Sequence, residues 1–357
     1  MTRAAQARID LEALQNNLTR VKETAPASNI MAVIKANGYG HGMVRVAKAL
    51  SDAQAFAVAS IDEAIELRDA GIDKPIVLLE GFNEASELPL IARYHLSVVI
   101  HHSFQLELLE HGASTEPVEV WLKADTGMHR LGFTPGAIHE IWRRLEDCPS
   151  VASPVRLMTH MACADEPDNP MTDDQIAMFT DIVKGLDAEC SLANSATLLG
   201  WQNSHAQWVR PGIMLYGVNP FIKGVGKDIG LEPVMTFSSK VIAVNRLNEG
   251  DTIGYGASWT CPEDMSVGVV AVGYGDGYPR HAEQGTPVLI NNQHVPLIGR
   301  VSMDMITLDL RSHPDVSIGD EVILWGEGLP VEEIAKCSST IAYELLCGVT
   351  QRVRFVY

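Results

Sequence analysis

Lys35 closes an apolar run, Ile30-Met31-Ala32-Val33-Ile34, and opens a glycine-rich one, Ala36-Asn37-Gly38-Tyr39-Gly40-His41-Gly42. A short uninterrupted apolar run reads as a strand buried on both faces, and the glycines after it read as a turn. Desolvation at a buried strand end disfavours the charged form of an amine and leaves it nucleophilic. That is what a Schiff base with an aldehyde cofactor requires. A solitary lysine in this position more often snorkels to solvent, so the case rests on its company. Lys123, His160, Asn194-Ser195 and Arg210 each stand at or just beyond the end of a further apolar run.

Those runs are Ala55–Ala59, Pro75–Leu79, Leu96–Ile100, Val118–Leu122, Val155–Thr159, Ser191–Ala193 and Gln207–Val209. Amphipathic stretches separate them: Met43–Leu50, Ile61–Ala70, Phe104–Glu110, Pro135–Leu145 and Met171–Leu186. Eight strand–helix units predict an α/β fold, a TIM-type (β/α)8 barrel over residues 1–231. The seventh and eighth strands are weak by pattern. The chemically active residues then share the C-terminal rim, where such barrels build their sites.

From about Glu232 the pattern becomes Val/Ile-rich and strand-like: Val234–Val244, Ser266–Val272, Thr286–Ile290, His294–Ile298, Met303–Leu310 and Glu321–Trp325. Asn291-Asn292-Gln293 reads as a hairpin connection. Helices are expected at Val331–Cys337 and Thr340–Leu346. Residues 232–357 therefore form a second, mainly β domain, and Ala5–Leu11, ahead of the barrel, is a candidate strand for it.

At 357 residues with 46% hydrophobic content, the chain can bury two cores. No apolar run is long enough to span a membrane, and Met1-Thr2-Arg3-Ala4-Ala5-Gln6 lacks the apolar core of a signal peptide. A net charge of −18 argues against nucleic acid or an anionic membrane surface as partner. Cys148, Cys163, Cys190, Cys261, Cys337 and Cys347 form no CxxC pair, which fits reduced thiols in the cytoplasm. The histidines make no HExxH or HxxxH pattern, His101-His102 reads as surface, and no metal site is expected. Gly224-Val225-Gly226-Lys227-Asp228 lacks the Ser or Thr of a P-loop.

The run around Lys35 closely resembles the pyridoxal-phosphate attachment site of the alanine racemase family, and further matches extend over almost the whole chain. The resemblance implies that Lys35 binds pyridoxal 5′-phosphate and is one of two bases. Thr252-Ile253-Gly254-Tyr255-Gly256-Ala257-Ser258-Trp259 resembles the segment bearing the other base, which makes Tyr255 that base, acting in the partner subunit's site. A phenol ordinarily titrates near 10, so it needs nearby cations to act near neutrality. Val209-Arg210-Pro211-Gly212-Ile213 resembles the pyridine-binding segment. There Arg210 faces the ring nitrogen, which it cannot stabilise as a pyridinium, and Gly212 and Ile213 offer phosphate donors. Ser195 and Tyr39 match the remaining phosphate ligands. Asn194-Ser195 also carries an N-cap signature, and a helix N-terminus attracts phosphate. His160 matches a histidine linking arginine to tyrosine.

Lys123-Ala124-Asp125-Thr126-Gly127-Met128-His129-Arg130 is a second strong match. It implies that Arg130 holds the substrate carboxylate and that Lys123 is a lysine often carbamylated by carbon dioxide. Met303, in Val301-Ser302-Met303-Asp304-Met305, matches a main-chain carboxylate donor from the partner subunit; Asp304 reads equally as structural. Tyr274, Asp165, Arg280 and Arg300 are implied at the entrance. Gln351 departs from the pattern, standing where some members place a phosphate-binding tyrosine.

The expectation is racemisation of alanine, for peptidoglycan or for D-alanine catabolism, in a homodimer with shared sites. A serine or broad-specificity racemase of the same fold is the alternative, because one methylene is worth only about 1–3 kcal/mol in a pocket. A barrel-plus-β decarboxylase would need a carboxylate where Arg210 stands. A cofactor-carrying barrel without turnover would lack the stretch around Tyr255.

Overall fold

The computed structural model describes residues 3–112 and 116–357. Met1 and Thr2, the start of the stretch inspected for a leader, lie outside the described residues. The chain divides into two compact units. One holds Gln15–Leu215 with Pro220–Gly224; the other holds the N-terminal residues through Leu14, Tyr216–Asn219 and Val225–Tyr357.

Strand β1 is Gln6–Ile9. The first unit is a closed barrel of eight parallel strands: β2 (Asn29–Val33), β3 (Ala55–Val58), β4 (Ile76–Leu78), β5 (Leu96–Ile100), β6 (Val118–Lys123), β7 (Val151–Met158), β8 (Cys190–Ser191) and β9 (Trp208–Val209). The ring closes where Ile30 pairs with Val209. Helices cover the outside, so the strands are apolar on both faces: Met31, Ala32, Phe56, Ala57, Val98 and Val99 are fully buried. The last two strands are two residues long, too short to show a period in sequence.

The helices also reach back over the rim. Ile61–Asp69 is capped by Ser60, and Glu63 in its first turn accepts hydrogen bonds from two backbone amides. Its Oε2 takes Ala59 N–H at 2.8 Å, in the loop entering its own helix. Its Oε1 takes Ala36 N–H at 2.7 Å, in the loop after the preceding strand. In the helix Ser103–His111, Gln105 does the same: Oε1 accepts from His101 N–H (2.9 Å) and Nε2 donates to Phe82 O (3.0 Å).

The second unit is one eight-stranded sheet. Its strands are β10 (Met235–Leu247), β13 (Met265–Val270), β14 (Pro287–Ile290), β15 (Gln293–Ile298), β16 (Ile306–Asp309), β17 (Glu321–Trp325) and β18 (Arg354–Val356), joined by β1; β11 (Thr252–Ile253) and β12 (Trp259–Thr260) form a separate small hairpin. β1 pairs antiparallel with β10, Gln6 against Ser238. β13 at one end pairs back onto β10, which wraps the sheet round a core of Phe237, Tyr278 and Trp325. The β14–β15 connection is Asn291-Asn292, with φ of 50° and 60°. Both residues being left-handed is the two-residue turn that matches strand twist.

The sequence misses the helix Leu11–Thr24, because the strand-like reading of Ala5–Leu11 runs past the true break at Asp10. Asp10 caps that helix, accepting from Glu12 and Ala13 N–H at 3.0 and 2.9 Å. Among the described residues no helix is long and apolar enough to cross a membrane, and no cluster of His, Cys, Asp or Glu could hold a metal ion.

Glu63→Ala should speed hydrogen exchange at both Ala36 and Ala59. A charged acceptor is worth about 2 kcal/mol per bond, roughly a 30-fold change. Glu63→Gln, with one acceptor oxygen left, should protect only one of the two amides; mass-spectrometric or NMR exchange measurements separate these outcomes.

Candidate active site

Lys35 begins a turn rather than ending a strand. β2 stops at Val33, and Ala36, Asn37, Gly38, Tyr39 and Gly40 all take left-handed conformations (φ 53°, 54°, 64°, 51° and 81°). Consecutive left-handed residues with side chains are costly and persist only when their surroundings hold them. Here Gly38 and Gly40 N–H donate to Ile34 and Ala36 O at 2.8 and 2.9 Å. Asn37 Oδ1 accepts from Met43 N–H at 2.9 Å. His41 is fully buried and its pKa is pushed down to about 4 by burial. The neutral ring's Nδ1–H faces Tyr39 O at 2.8 Å and Gly38 O at 3.1 Å. The turn leaves Lys35 half-buried, less enclosed than a strand end would make it.

The same turn carries Tyr39 beneath Gly212. A Cβ added at Gly212 would sit 2.6 Å from the Tyr39 hydroxyl oxygen, so only glycine fits. Ser195 arrives from the other side, at the start of the helix Ser195–Gly200, whose N-cap Asn194 accepts from Thr197 N–H at 3.0 Å. Ser195 Oγ accepts from Gly212 N–H (2.9 Å) and Met214 N–H (3.4 Å). Ile213, between them, is buried. Tyr39, Ser195 and the Gly212–Met214 backbone thus converge on one small polar cradle suited to an anion.

Arg210 follows β9 and is only 4% exposed. Nη1 donates to Ser191 Oγ at 2.6 Å, while Nη2 donates to Thr159 O at 2.5 Å and Leu192 O at 3.3 Å and lies 3.4 Å from His160 Nδ1. Every one of these partners is neutral. Burial pushes Arg210 down to about 10, leaving it protonated at neutral pH. His160 is held well below its usual range by burial and then by Arg210, Lys123, Arg130 and Lys35. It is therefore a neutral imidazole, able to accept from Arg210. Lys123, the last residue of β6, is pushed down to about 8 by burial, with Arg210, Arg130 and Lys35 adding to the effect. Arg130 itself is exposed, on a loop tied back by Phe133 N–H to Lys123 O (2.9 Å).

The expectation that His101-His102 lies at the surface holds for His102 alone. His101 is half-buried beside Lys123, one step beyond the Ile100–Leu122 register pair, with Nε2 3.1 Å from Glu80 O. Burial first, and Lys123 among lesser causes, lowers its pKa. A pair of histidines at a predicted strand end was the signal available.

In the β unit, Tyr255 stands at the tip of the β11–β12 hairpin and is 72% exposed. The Arg300 guanidinium lies over the adjacent Gly256. Tyr274 and Met303 are exposed and belong to two loops joined by Tyr274 N–H to Ser302 O (3.0 Å) and Gly275 N–H to Met303 O (2.9 Å). Sequence reasoning missed what holds these loops. Fully buried Asp276 pairs with the Arg3 guanidinium and accepts from Gly273 N–H at 3.0 Å. Arg352 binds Asp304 at 2.5 Å, crossing so near Gly275 that a Cβ there would be 2.2 Å from its Nη1. Arg280 and Gln351 are exposed. Asp165, in the barrel unit, is half-buried and accepts from Ile222 N–H at 3.1 Å.

A closed parallel barrel with a cation-rich rim and an anion cradle, joined in one chain to a mainly β unit, defines a narrow class. Family models for the alanine racemase N-terminal and C-terminal domains match residues 9–220 and 234–357. The chain is 55% identical to the alanine racemase of Nitrosococcus oceani, over 98% of each chain, and 52% identical to that of Vibrio parahaemolyticus, over 99% of each. Among solved structures, the biosynthetic alanine racemase of Pseudomonas aeruginosa superposes with a TM-score of 0.97 at 43% identity, covering 100% of this chain and 99% of that one. The Acinetobacter baumannii alanine racemase gives 0.93 at 37%, covering 99% of each. This chain belongs to the alanine racemase family.

A depressed lysine pKa carries a signed consequence for stability. Lys123 titrates near 8 when folded and near 10.5 when unfolded. Its handicap to folding is present in full below about pH 8 and fades as pH rises towards 10.5. In CO2-free buffer, Lys123→Met should exceed the parent's stability by a margin that falls from about 3 kcal/mol at pH 7 to about 1 at pH 10. Urea titrations at the two pH values test this, since any packing difference is common to both. A margin independent of pH would contradict it.

Proposed function

We propose that this protein interconverts L- and D-alanine with pyridoxal 5′-phosphate, as a homodimer whose sites each take Tyr255 and Met303 from the other copy. The observation that carries this reading is Arg210, buried among neutral acceptors only, at a rim shared with Lys35, Lys123 and Arg130. Such a rim is matched to a ligand bearing a phosphate and a carboxylate, and a pyridine nitrogen gives Arg210 an acceptor.

The residues present fit the cofactor. Tyr39, Ser195, Gly212 and Ile213 would hold its phosphate, with Asn194 fixing the helix start; Arg210, steadied by His160, would face its ring nitrogen, and Lys35 would hold its aldehyde carbon. Bound there, pyridoxal phosphate supplies the electron sink that makes the alanine α-hydrogen acidic. Arg130 and the Met303 main chain orient the substrate carboxylate. Lys35 moves the proton on one face of the α-carbon, and the second copy's Tyr255 moves it on the opposite face. Tyr255 suits this part because its hydroxyl is displayed at a hairpin tip rather than spent in a core. Tyr274, Asp165, Arg280 and Arg300 line the approach. The product serves peptidoglycan, or D-alanine enters catabolism. Six cysteines with no CxxC pair in the sequence support action in the cytoplasm.

A pKa near 8 leaves roughly a quarter of Lys123 as free amine at pH 7.5, the form that carbon dioxide carbamylates. The resulting anion would offset the surrounding cations and steady Arg130. Protein equilibrated with 13C-labelled bicarbonate should show a bound carbamate signal that Lys123→Met abolishes.

Replacing Tyr255 with Phe should lower the rate of racemisation in both directions by about 100-fold or more. In deuterium oxide the variant should still exchange the α-hydrogen of one enantiomer, the one presented to Lys35. Full-speed interconversion, with label entering both enantiomers as in the parent, would sink the two-base reading. Serine turned over as fast as alanine would shift the substrate assignment to the broader class.

A further inference from the structure

Gln175 lies on the helix Met171–Val183 and is 1% exposed, yet it spends its whole polar end on two loops of the rim. Its Oε1 accepts from Ala162 N–H at 2.9 Å, and its Nε2 donates to His160 O at 3.1 Å. The same Nε2 donates to Thr126 Oγ1 at 3.0 Å. Because Thr126 Oγ1 accepts there, its own hydrogen is free for Thr159 Oγ1, 2.8 Å away. Thr126 and Thr159 are also buried. Thr159 O in turn accepts from Arg210 at 2.5 Å. Gly127 packs flat on the Gln175 stem, its ideal Cβ position 3.5 Å from Gln175 Cγ.

A buried amide that satisfies one donor on the His160 loop and an acceptor on each of two loops fixes their separation. The last backbone tie between the two is Ala124 N–H to Met158 O at 2.8 Å, one step past the final β6–β7 pair of Lys123 with Met158. Beyond that tie, side-chain bonds through Gln175 and the two threonines join them. One loop follows Lys123 and carries Arg130; the other carries His160 and, through Thr159 O, one of the Arg210 contacts.

We propose that Gln175 is a positioning residue that couples the Arg130 loop to the His160–Arg210 pair, so that substrate carboxylate and cofactor ring are held in one frame. This rests on the proposed roles of Arg130 and Arg210. Gln175→Met keeps the volume and removes every polar contact. Thr126→Val cuts only the link to the Arg130 loop and leaves the clamp on His160 and Ala162 intact.

In the holoenzyme, Gln175→Met should raise KM for alanine and weaken binding of propionate, the carboxylate half of the substrate, each about tenfold. It should also shift the visible absorption of the bound cofactor. Thr126→Val should reproduce the KM and propionate effects with the parent's absorption, and the double variant should be no worse in KM than Gln175→Met. Amide exchange should rise at Ala162 in Gln175→Met alone, and across residues 126–130 in both variants. If Gln175→Met lowers only the thermal midpoint, with KM, propionate affinity and absorption unchanged, Gln175 is structural and the coupling is wrong. Should Gln175→Met not fold, Thr126→Val decides alone, and parental KM and loop exchange there overturn the proposal. A parent that neither racemises alanine nor binds propionate would refute the functional reading instead, while the exchange pattern still judges the coupling between loops.

Discussion

The cost of holding Arg210 charged inside the barrel shapes everything near it. A guanidinium at 4% exposure with a serine hydroxyl, two carbonyls and an imidazole for partners has only neutral groups around it and its charge uncompensated. Arginine tolerates this better than lysine would, being more weakly hydrated and unable to shed its proton near neutrality. The field it creates falls on its neighbours. Burial first, with Arg210 the largest charge added to it, drives His160 to the neutral form and brings Lys123 close to the point where free amine and ammonium coexist. Asp125 opposes this at Lys123. In a chain of net charge −18, a rim so poor in anions marks where anionic groups of a ligand complete the electrostatics.

A barrel of very short strands must hold its rim by other means than the ladder. β4 has three residues and β8 and β9 two each, so hydrogen bonding between strands ends well below the loops. The covering helices supply the missing ties. Glu63, Gln105 and Gln175 sit on three different helices and follow one rule. Each accepts from an amide of the loop leading into its own helix, and each bonds to the loop after the preceding strand. Glu63 steadies the first amide after Lys35, Gln105 the loop at His101, and Gln175 the loops of Arg130 and His160. Repetition of one device around the ring keeps side chains from separate strands in register, which a catalytic rim needs at sub-ångström tolerance.

Much of this was legible in sequence, for reasons that differ by residue. Lys35, Lys123, His160, Ser195 and Arg210 stand at or just beyond strand ends, which put them on one rim, while the resemblance of their surrounding motifs supplied the expected roles. The Asn291-Asn292 turn was legible because asparagine tolerates positive φ. The seventh and eighth strands were faint because two residues carry no period, and the helix Leu11–Thr24 was hidden by a strand reading that overran Asp10. Gln175 was invisible. Its partners are backbone atoms and a threonine 49 positions away, and an isolated glutamine on a helix looks like any surface residue until burial is known. His101 failed the other way, since adjacent histidines suggest solvent until the register places one of them next to Lys123.

The β unit solves a different problem, that of presenting a side chain outward in a fixed pose. Tyr255 is carried by strands of two residues, too few to hold a hairpin by themselves. The hairpin is anchored below by Ile253, which packs with Cys261, Met265, Val267 and Ile298, and the Arg300 side chain lies against its tip. Beside it, the Tyr274 and Met303 loops have no ladder of their own and are pinned by Asp276. Removing a partner from so deeply buried a charge costs several kcal/mol, far more than an exposed ion pair contributes. A carboxylate at zero exposure held by Arg3 and by Gly273 N–H therefore gives rigidity to loops whose tips stay exposed. Rigid roots with exposed tips are what a residue needs to act on a reactant that its own strand does not enclose, because orientation must be set before contact is made.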